Sequence, residues 1–219
     1  MNRFAHGGDI YSRHIEHDFS ANINPLGLPD EVLLEISDSL WRCGNYPDPS
    51  CRELIRAISD SEWFPSGRIV CGNGAADLIY RIVSAFKPRR ALVCAPTFSE
   101  YENALTEHGC AIRRHFLSRA NDFRLTCDIL SDITSDIDIL FLCNPNNPTG
   151  QTIPPDLMER ISAKCRETGT FLVVDECFLD FVEGGRERSA RQFLSDNSAI
   201  LKAFTKIYAM PGIRLGYAL

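Results

Sequence analysis

Only four of the 23 basic residues are lysines, at positions 87, 164, 202 and 206. An amine attacks a carbonyl carbon effectively only when its pKa is lowered by burial or by a nearby cation. Lys87 ends an apolar-periodic segment, where a cation favours the helix dipole. Lys164 falls on a helix face and Lys202 within an apolar run. Lys206, in AFTKIYAMPGIRLGY, follows an apolar run directly, and Arg214 stands eight residues on, inside a Gly-Ile-Arg-Leu-Gly turn. Lys206 is therefore the amine placed for carbonyl chemistry, with Arg214 as the cation that would activate it. A solvated surface lysine is the ordinary alternative.

Other segments supply complementary groups. GNGAADLIY sets two glycines ahead of a helical pattern, and the free N–H groups of a helix start bind anions such as phosphate. It is neither GxGxxG nor a Walker loop, so a plain turn fits it equally. NPNNPTG presents amide side chains on a loop of turn-forming residues. Asp175 ends the apolar run Phe171 to Val174, where a carboxylate is compatible with an N-cap or with pairing to a protonated ring nitrogen. The pair His14 and His17 lacks a third ligand and reads as a solvated segment rather than a metal site.

These residues need a scaffold, and the chain alternates between helical and strand patterns. Helices are expected over PDEVLLEISDSLWRC, SCRELIRAISD with Ser50 as N-cap, AADLIYRIVSAF, FSEYENALTEHG and PDLMERISAKCRETG, the last closed by Gly169. Strands are expected over ALVCAP, AIRRHFL, DIDILFLCNP, FLVVDECF and AILKAFT. Strands that alternate with helices and are continuously apolar predict an α/β domain with a mostly parallel sheet covered on both faces. Ligands bind such sheets at the carboxyl ends of the strands. That rule gathers Pro96 to Phe98, Asn144 to Gly150, Asp175, Thr205 and Lys206 at one rim. There is no internal repeat.

The bulk numbers agree with a soluble globular chain of one or two domains. The 219 residues are 44% apolar and 24% charged, with a net charge of −6. An acidic balance argues against nucleic acid as a partner. No apolar run is long enough to suggest a membrane span, and no signal-peptide pattern opens the chain, so a cytoplasmic location is expected. Nine scattered cysteines without a CxxC pair read as reduced, mostly buried thiols.

Five motifs in order (GNGAADLIY, PTFSEY, NPNNPTG, VVDECFLDF and FTKIYAMPGIRLGY) resemble the fold-type I enzymes that use pyridoxal 5′-phosphate (PLP), specifically the class I/II aminotransferase group. The resemblance covers essentially the whole chain. It implies a PLP-dependent transferase fold of type I, with residues 46–219 as the large PLP-binding domain and residues 1–45 as an N-terminal segment serving the substrate site and the small domain. It implies that Lys206 is the Schiff-base lysine and that Asp175 holds the pyridine nitrogen protonated. By the same resemblance Asn147 bonds the phenolic oxygen and Phe98 stacks on the ring. Gly74, Ala75, Ala76, Thr205 and Arg214 hold the phosphate. Tyr46, in NYPDPS, matches a tyrosine that reaches the phosphate in the neighbouring subunit, which implies a homodimer with shared sites.

One departure stands out. Many members carry a tyrosine three residues after the aspartate, where this chain has Phe178. That feature, together with HGGDIY and DFSANINPLGLP, is most similar to the decarboxylases of L-threonine O-3-phosphate in cobalamin biosynthesis. Histidinol-phosphate aminotransferases are the next resemblance, and the substrate expected is a small phosphorylated amino acid. His6 and Asn24 are candidate substrate contacts. Family members continue past the position of Leu219 into a smaller C-terminal domain bearing an arginine for the substrate carboxylate. The chain is therefore expected to lack that domain, and an inactive PLP-binding fragment is the reading of a different class.

Overall fold

The structure is a computed structural model that describes residues 7–12 and 14–219. His6 lies outside the described residues. Two helices come first, α1 (Asp30–Ser39) and α2 (Arg52–Glu62), and then strand β1 (Val70–Gly72). There follow α3 (Ala75–Phe86), β2 (Arg90–Ala95), α4 (Ser99–Glu107), β3 (Ala111–Phe116), α5 (Ile129–Asp132) and β4 (Ile139–Cys143). The remainder is α6 (Pro155–Thr168), β5 (Phe171–Asp175), β6 (Ser198–Ala203) and β7 (Gly216–Ala218).

The strands form one seven-stranded sheet in the order β1-β7-β6-β5-β4-β2-β3. The five strands from β6 to β3 run parallel, as their alternation with helices predicts; the central β4 and β5 carry the continuous apolarity, whereas β3, at the sheet edge, has no buried residue. Strand β7 pairs antiparallel with both β6 and β1. These two three-residue strands were not expected from the sequence, because segments so short and glycine-containing carry no period-two signal.

Alternation along each strand sends side chains to two separate cores. Leu140, Leu142, Leu172, Val174 and Ile200 pack with Leu157, Ile161 and Cys165 of α6 on one face. Ile139, Phe141, Val173 and Leu201 pack with Leu78, Ile79 and Val83 of α3 and with Tyr101 and Leu105 of α4 on the other. Each fully buried aliphatic side chain contributes about 1.5–3 kcal/mol. Both faces of β4 are filled, and all five of its residues are buried.

Local signals set the helix ends. Pro155 opens α6, and Gly169, at φ 76°, closes it in the left-handed conformation that a residue without Cβ adopts freely. The start of α2 differs from expectation, because Ser50 does not cap it. Asp48 accepts from the N–H groups of Ser50 and Arg52 at 3.1 and 2.9 Å. The N-cap position itself is Cys51, in a left-handed backbone at φ 48° with no side-chain cap bond, and the nearby Asp48 carboxylate also favours the helix N-terminus.

Behind the sheet lies a buried polar cluster. Glu62, at the end of α2, accepts from Lys202 Nζ at 2.8 Å and from the Tyr217 hydroxyl at 2.5 Å. Burial pushes the Glu62 carboxyl up, but the hydrogen bonds from Lys202 and Tyr217 outweigh it and the net shift is downward. Glu176 is 1% exposed and accepts from the Ser189 hydroxyl at 2.8 Å and the Ala190 N–H at 2.7 Å. Burial pushes its carboxyl up to about 7.

An acid whose folded pKa is raised binds its proton more tightly when folded. Its contribution is therefore full below the unfolded value of 4.5 and is lost as pH rises through about 7. Glu176→Gln, which keeps the shape without the charge, is expected to gain stability over the native protein at pH 8, by up to about 3 kcal/mol. The gain should vanish near pH 4. Thermal melts across that range check it, and a pH-independent difference would assign the burial of Glu176 no electrostatic cost.

Candidate functional site

At the carboxyl edge of the parallel strands a cavity of about 720 Å³ opens. Its walls come from segments far apart in sequence. They include Phe98 after β2, Asn147 after β4, Asp175 at the end of β5, Thr205 and Lys206 after β6, Arg214 before β7, and Ala75 and Ala76 at the start of α3. The register explains the gathering: Cys143 pairs with Asp175, so β4 and β5 end level, and Asp175 pairs with Leu201, two residues before β6 ends at Ala203 and delivers Thr205 and Lys206 to the same rim.

Lys206 is half-buried, and its Nζ donates to the Ala21 carbonyl at 2.7 Å. Burial holds the amine below the usual lysine range, Cys177 opposes that shift, and Arg214 adds to it. The Phe178 ring centroid lies 6.0 Å from Nζ, within reach of a cation–π contact. The lysine loop is laced to the N-terminal segment. Asn24 donates its backbone N–H to the Lys206 carbonyl at 3.1 Å and its side-chain amide to the Ile207 carbonyl at 2.7 Å. Asn24 Oδ1 accepts from the Leu26 N–H. Asn24 thus faces away from the cavity wall, which Ser20, Ala21 and Asn22 form instead.

Asp175 is 4% exposed. Among the described residues no cation pairs with it. Its two oxygens accept from the Tyr101 hydroxyl at 2.8 Å and the Cys177 N–H at 3.0 Å. Phe98 lies edge-on to Tyr101, with ring centroids 5.6 Å apart and planes at 84°.

The opposite end of the cavity is an anion cradle. Gly74, at φ 83°, is the N-cap of α3, and the first N–H groups of a helix have no partner within it. A Cβ on Gly74 would meet the Arg214 guanidinium at 2.7 Å, and one on Gly216 would meet the Gly74 carbonyl carbon at 2.8 Å and the Ala75 nitrogen at 2.9 Å. Gly74 therefore excludes a side chain so that Arg214 can lie against the helix start, and Gly216 does so that β7 can approach the backbone of that start. Gly74 contributes backbone and is not itself on the cavity wall. Arg214 adopts a left-handed backbone, φ 59°, which costs a residue with a side chain about 1–2 kcal/mol.

Tyr46 is fully exposed and is not among the wall residues. Sequence reasoning missed Tyr101 and Asn146. Asn146 ties two loops of the rim together, accepting from Thr97 Oγ1 at 2.8 Å and donating to the Pro96 carbonyl at 3.0 Å and Thr149 Oγ1 at 2.9 Å. NPNNPTG does present an amide, but its sequence does not separate the structural Asn146 from the cavity-facing Asn147. Tyr101 falls on the apolar face of a helix and reads as a core residue.

A sheet of this order, with a lysine, a carboxylate and an anion cradle along its carboxyl edge, is the architecture of fold-type I PLP enzymes, and residues 15–219 match the model of the aminotransferase class I and II family. The chain belongs to that family. It is 41% identical to a threonine-phosphate decarboxylase of Salmonella typhimurium, over 97% of this chain and 61% of that protein. It is 32% identical to a histidinol-phosphate aminotransferase of Desulfitobacterium hafniense, over 91% of this chain and 56% of that one. Among solved structures, the histidinol-phosphate aminotransferase of Clostridium acetobutylicum superposes with a TM-score of 0.82 at 30% identity, over 91% of this chain and 59% of that one. The chain thus spans about three-fifths of the length of the relatives it matches. Among the described residues no helix is long and apolar enough to cross a membrane.

Proposed function

We propose that this chain carries the PLP-binding portion of an L-threonine O-3-phosphate decarboxylase, forming (R)-1-amino-2-propanol O-2-phosphate and CO2 in cobalamin biosynthesis. The observation that carries this reading is the convergence of Lys206, Asp175 and the Arg214 cradle on one cavity. The 41% identity to a threonine-phosphate decarboxylase supports the choice of reaction.

The donor set suits PLP. The start of α3 and Arg214 offer unfilled N–H donors and a cation for a phosphate, the space secured by Gly74 and Gly216. Asp175, buried without a cation, suits a protonated ring nitrogen. The assignments follow: Ala75, Ala76, Thr205 and Arg214 hold the phosphate, with Gly74 shaping the turn. Phe98 covers one ring face, and Asn147 donates to the phenolic oxygen. When bound, PLP supplies an electron sink for the pair released at the substrate Cα.

Every other task falls to the chain. Lys206 anchors the cofactor, and burial keeps a larger share of its amine unprotonated and nucleophilic. Asp175 keeps the ring nitrogen charged. The walls would orient the bound substrate, and that orientation would select loss of CO2 over loss of a proton. When the Cα–carboxylate bond breaks, a proton from Lys206 Nζ takes its place at Cα. Residues 1–45 serve the substrate side and residues 46–219 the cofactor side. Tyr46, free in solvent, would reach the cofactor phosphate of a second copy in a homodimer.

Histidinol-phosphate transamination is the second reading, favoured by the match to the Clostridium acetobutylicum structure. The PLP-loaded protein is given L-threonine O-3-phosphate and, separately, histidinol phosphate with 2-oxoglutarate. CO2 is expected from the first. Glutamate from the second without CO2 from the first would replace decarboxylation by transamination.

A further inference from the structure

We propose that Tyr101 is a positioning residue of this site, whose hydroxyl fixes and tunes the Asp175 carboxylate. The inference rests on the reading of the cavity as a PLP site, and it adds a residue that the motif comparison does not single out. Tyr101 is fully buried, so its hydroxyl needs a partner. That partner is Asp175 Oδ2, at 2.8 Å.

Asp175 in turn lacks a cation among the described residues, and a buried carboxylate is costly unless hydrogen bonds replace water. Two neutral donors do so, the Tyr101 hydroxyl and the Cys177 N–H. The Cys177 donor is local backbone, two residues along the same chain segment. Tyr101 is the donor that comes from another element, and it stops the carboxylate from turning about its own bonds.

The ring that carries the hydroxyl is held on two sides. It stacks on Phe141 with centroids 5.2 Å apart and planes at 13°, and it meets Phe98 edge-on. One side chain therefore links β4, the aromatic wall and the carboxylate. A carboxylate held in one orientation is the group that can face a protonated ring nitrogen. Tyr101 touches neither substrate nor reacting atoms in this arrangement, so its effect passes through Asp175.

The test is a double-mutant cycle of Tyr101→Phe and Asp175→Asn, read by PLP affinity from fluorescence titration and by the pH dependence of the bound cofactor's absorbance. Tyr101→Phe keeps the ring packing, and the melting temperature of each variant before PLP is added reports folding. Alone, Tyr101→Phe is expected to weaken PLP binding about 10-fold, as for a hydrogen bond to a charged group, and to move the absorbance midpoint. In the Asp175→Asn background it should change affinity less than about twofold. Native-like binding by Tyr101→Phe, or the same loss in both backgrounds, would overturn the proposal while leaving the PLP site in place. A native protein that takes up no PLP would overturn both. A Tyr101→Phe variant that does not fold leaves the comparison of Asp175→Asn with Asp175→Asn/Tyr101→Phe, where an effect above twofold overturns the proposal.

Discussion

Lys206→Ala is expected to lower CO2 release from L-threonine O-3-phosphate by at least about 10⁴-fold, the upper end of what a single acid–base group contributes, because in the proposed function the same amine would also be the covalent anchor. The physical grounds are its half-buried amine, its depressed pKa and its place on the same cavity wall as Asp175 and Arg214. The variant should still bind PLP through the cradle and Asp175, so loss of activity separates from loss of cofactor. Borohydride reduction of the native protein should leave a cofactor adduct on the Lys206 peptide, and mass spectrometry should find none in the variant. Lys202, four residues earlier, is the control. It is paired with Glu62 behind the sheet and should carry no adduct. A variant retaining a tenth of the activity, or an adduct on Lys202, would remove Lys206 from the chemistry.

The largest expected effect on stability lies at that pair. Glu62 and Lys202 are 7% and 8% exposed. Glu62→Ala would leave the ammonium buried without its carboxylate and strip Tyr217 of its acceptor, which costs about 3–5 kcal/mol. The double variant Glu62→Ala/Lys202→Met removes both charges, and buried pairs replaced by apolar groups are often close to neutral. It should therefore be more stable than Glu62→Ala alone in urea unfolding. A double variant no better than the single one would show that the uncompensated charge is not the source of the loss. The pair matters to the site because Lys202 lies on β6, the strand that delivers Thr205 and Lys206. Arg191 reinforces the same corner by donating to the Glu62 and Trp63 carbonyls.

Much of this was legible beforehand. The parallel core from β2 to β6 follows from continuous apolar runs between amphipathic segments, and the ends of those runs already pointed to one rim. Lys206, Asp175, Asn147, Phe98, Ala75, Ala76, Thr205 and Arg214 all line the cavity. Short-range signals that depend on one residue were less dependable. The N-cap of α2 is Cys51 rather than Ser50, and it is Asp48, further back, that accepts from the Arg52 N–H. Asn24 turned out to fasten the N-terminal segment to the lysine loop.

The sequence by itself determined the residue types and their order: a lysine beyond a strand, a carboxylate at the end of another, and glycines before a helix. Those are local properties, written in periodicity and in the backbone freedom that each residue type permits. The tertiary structure alone decided the partnerships. Tyr101 bonding to Asp175, Lys206 to the Ala21 carbonyl, Glu62 to Lys202, and Gly216 lying against Gly74 each join positions dozens to well over a hundred residues apart. Such contacts depend on strand order and register, and they exist only once the sheet has assembled.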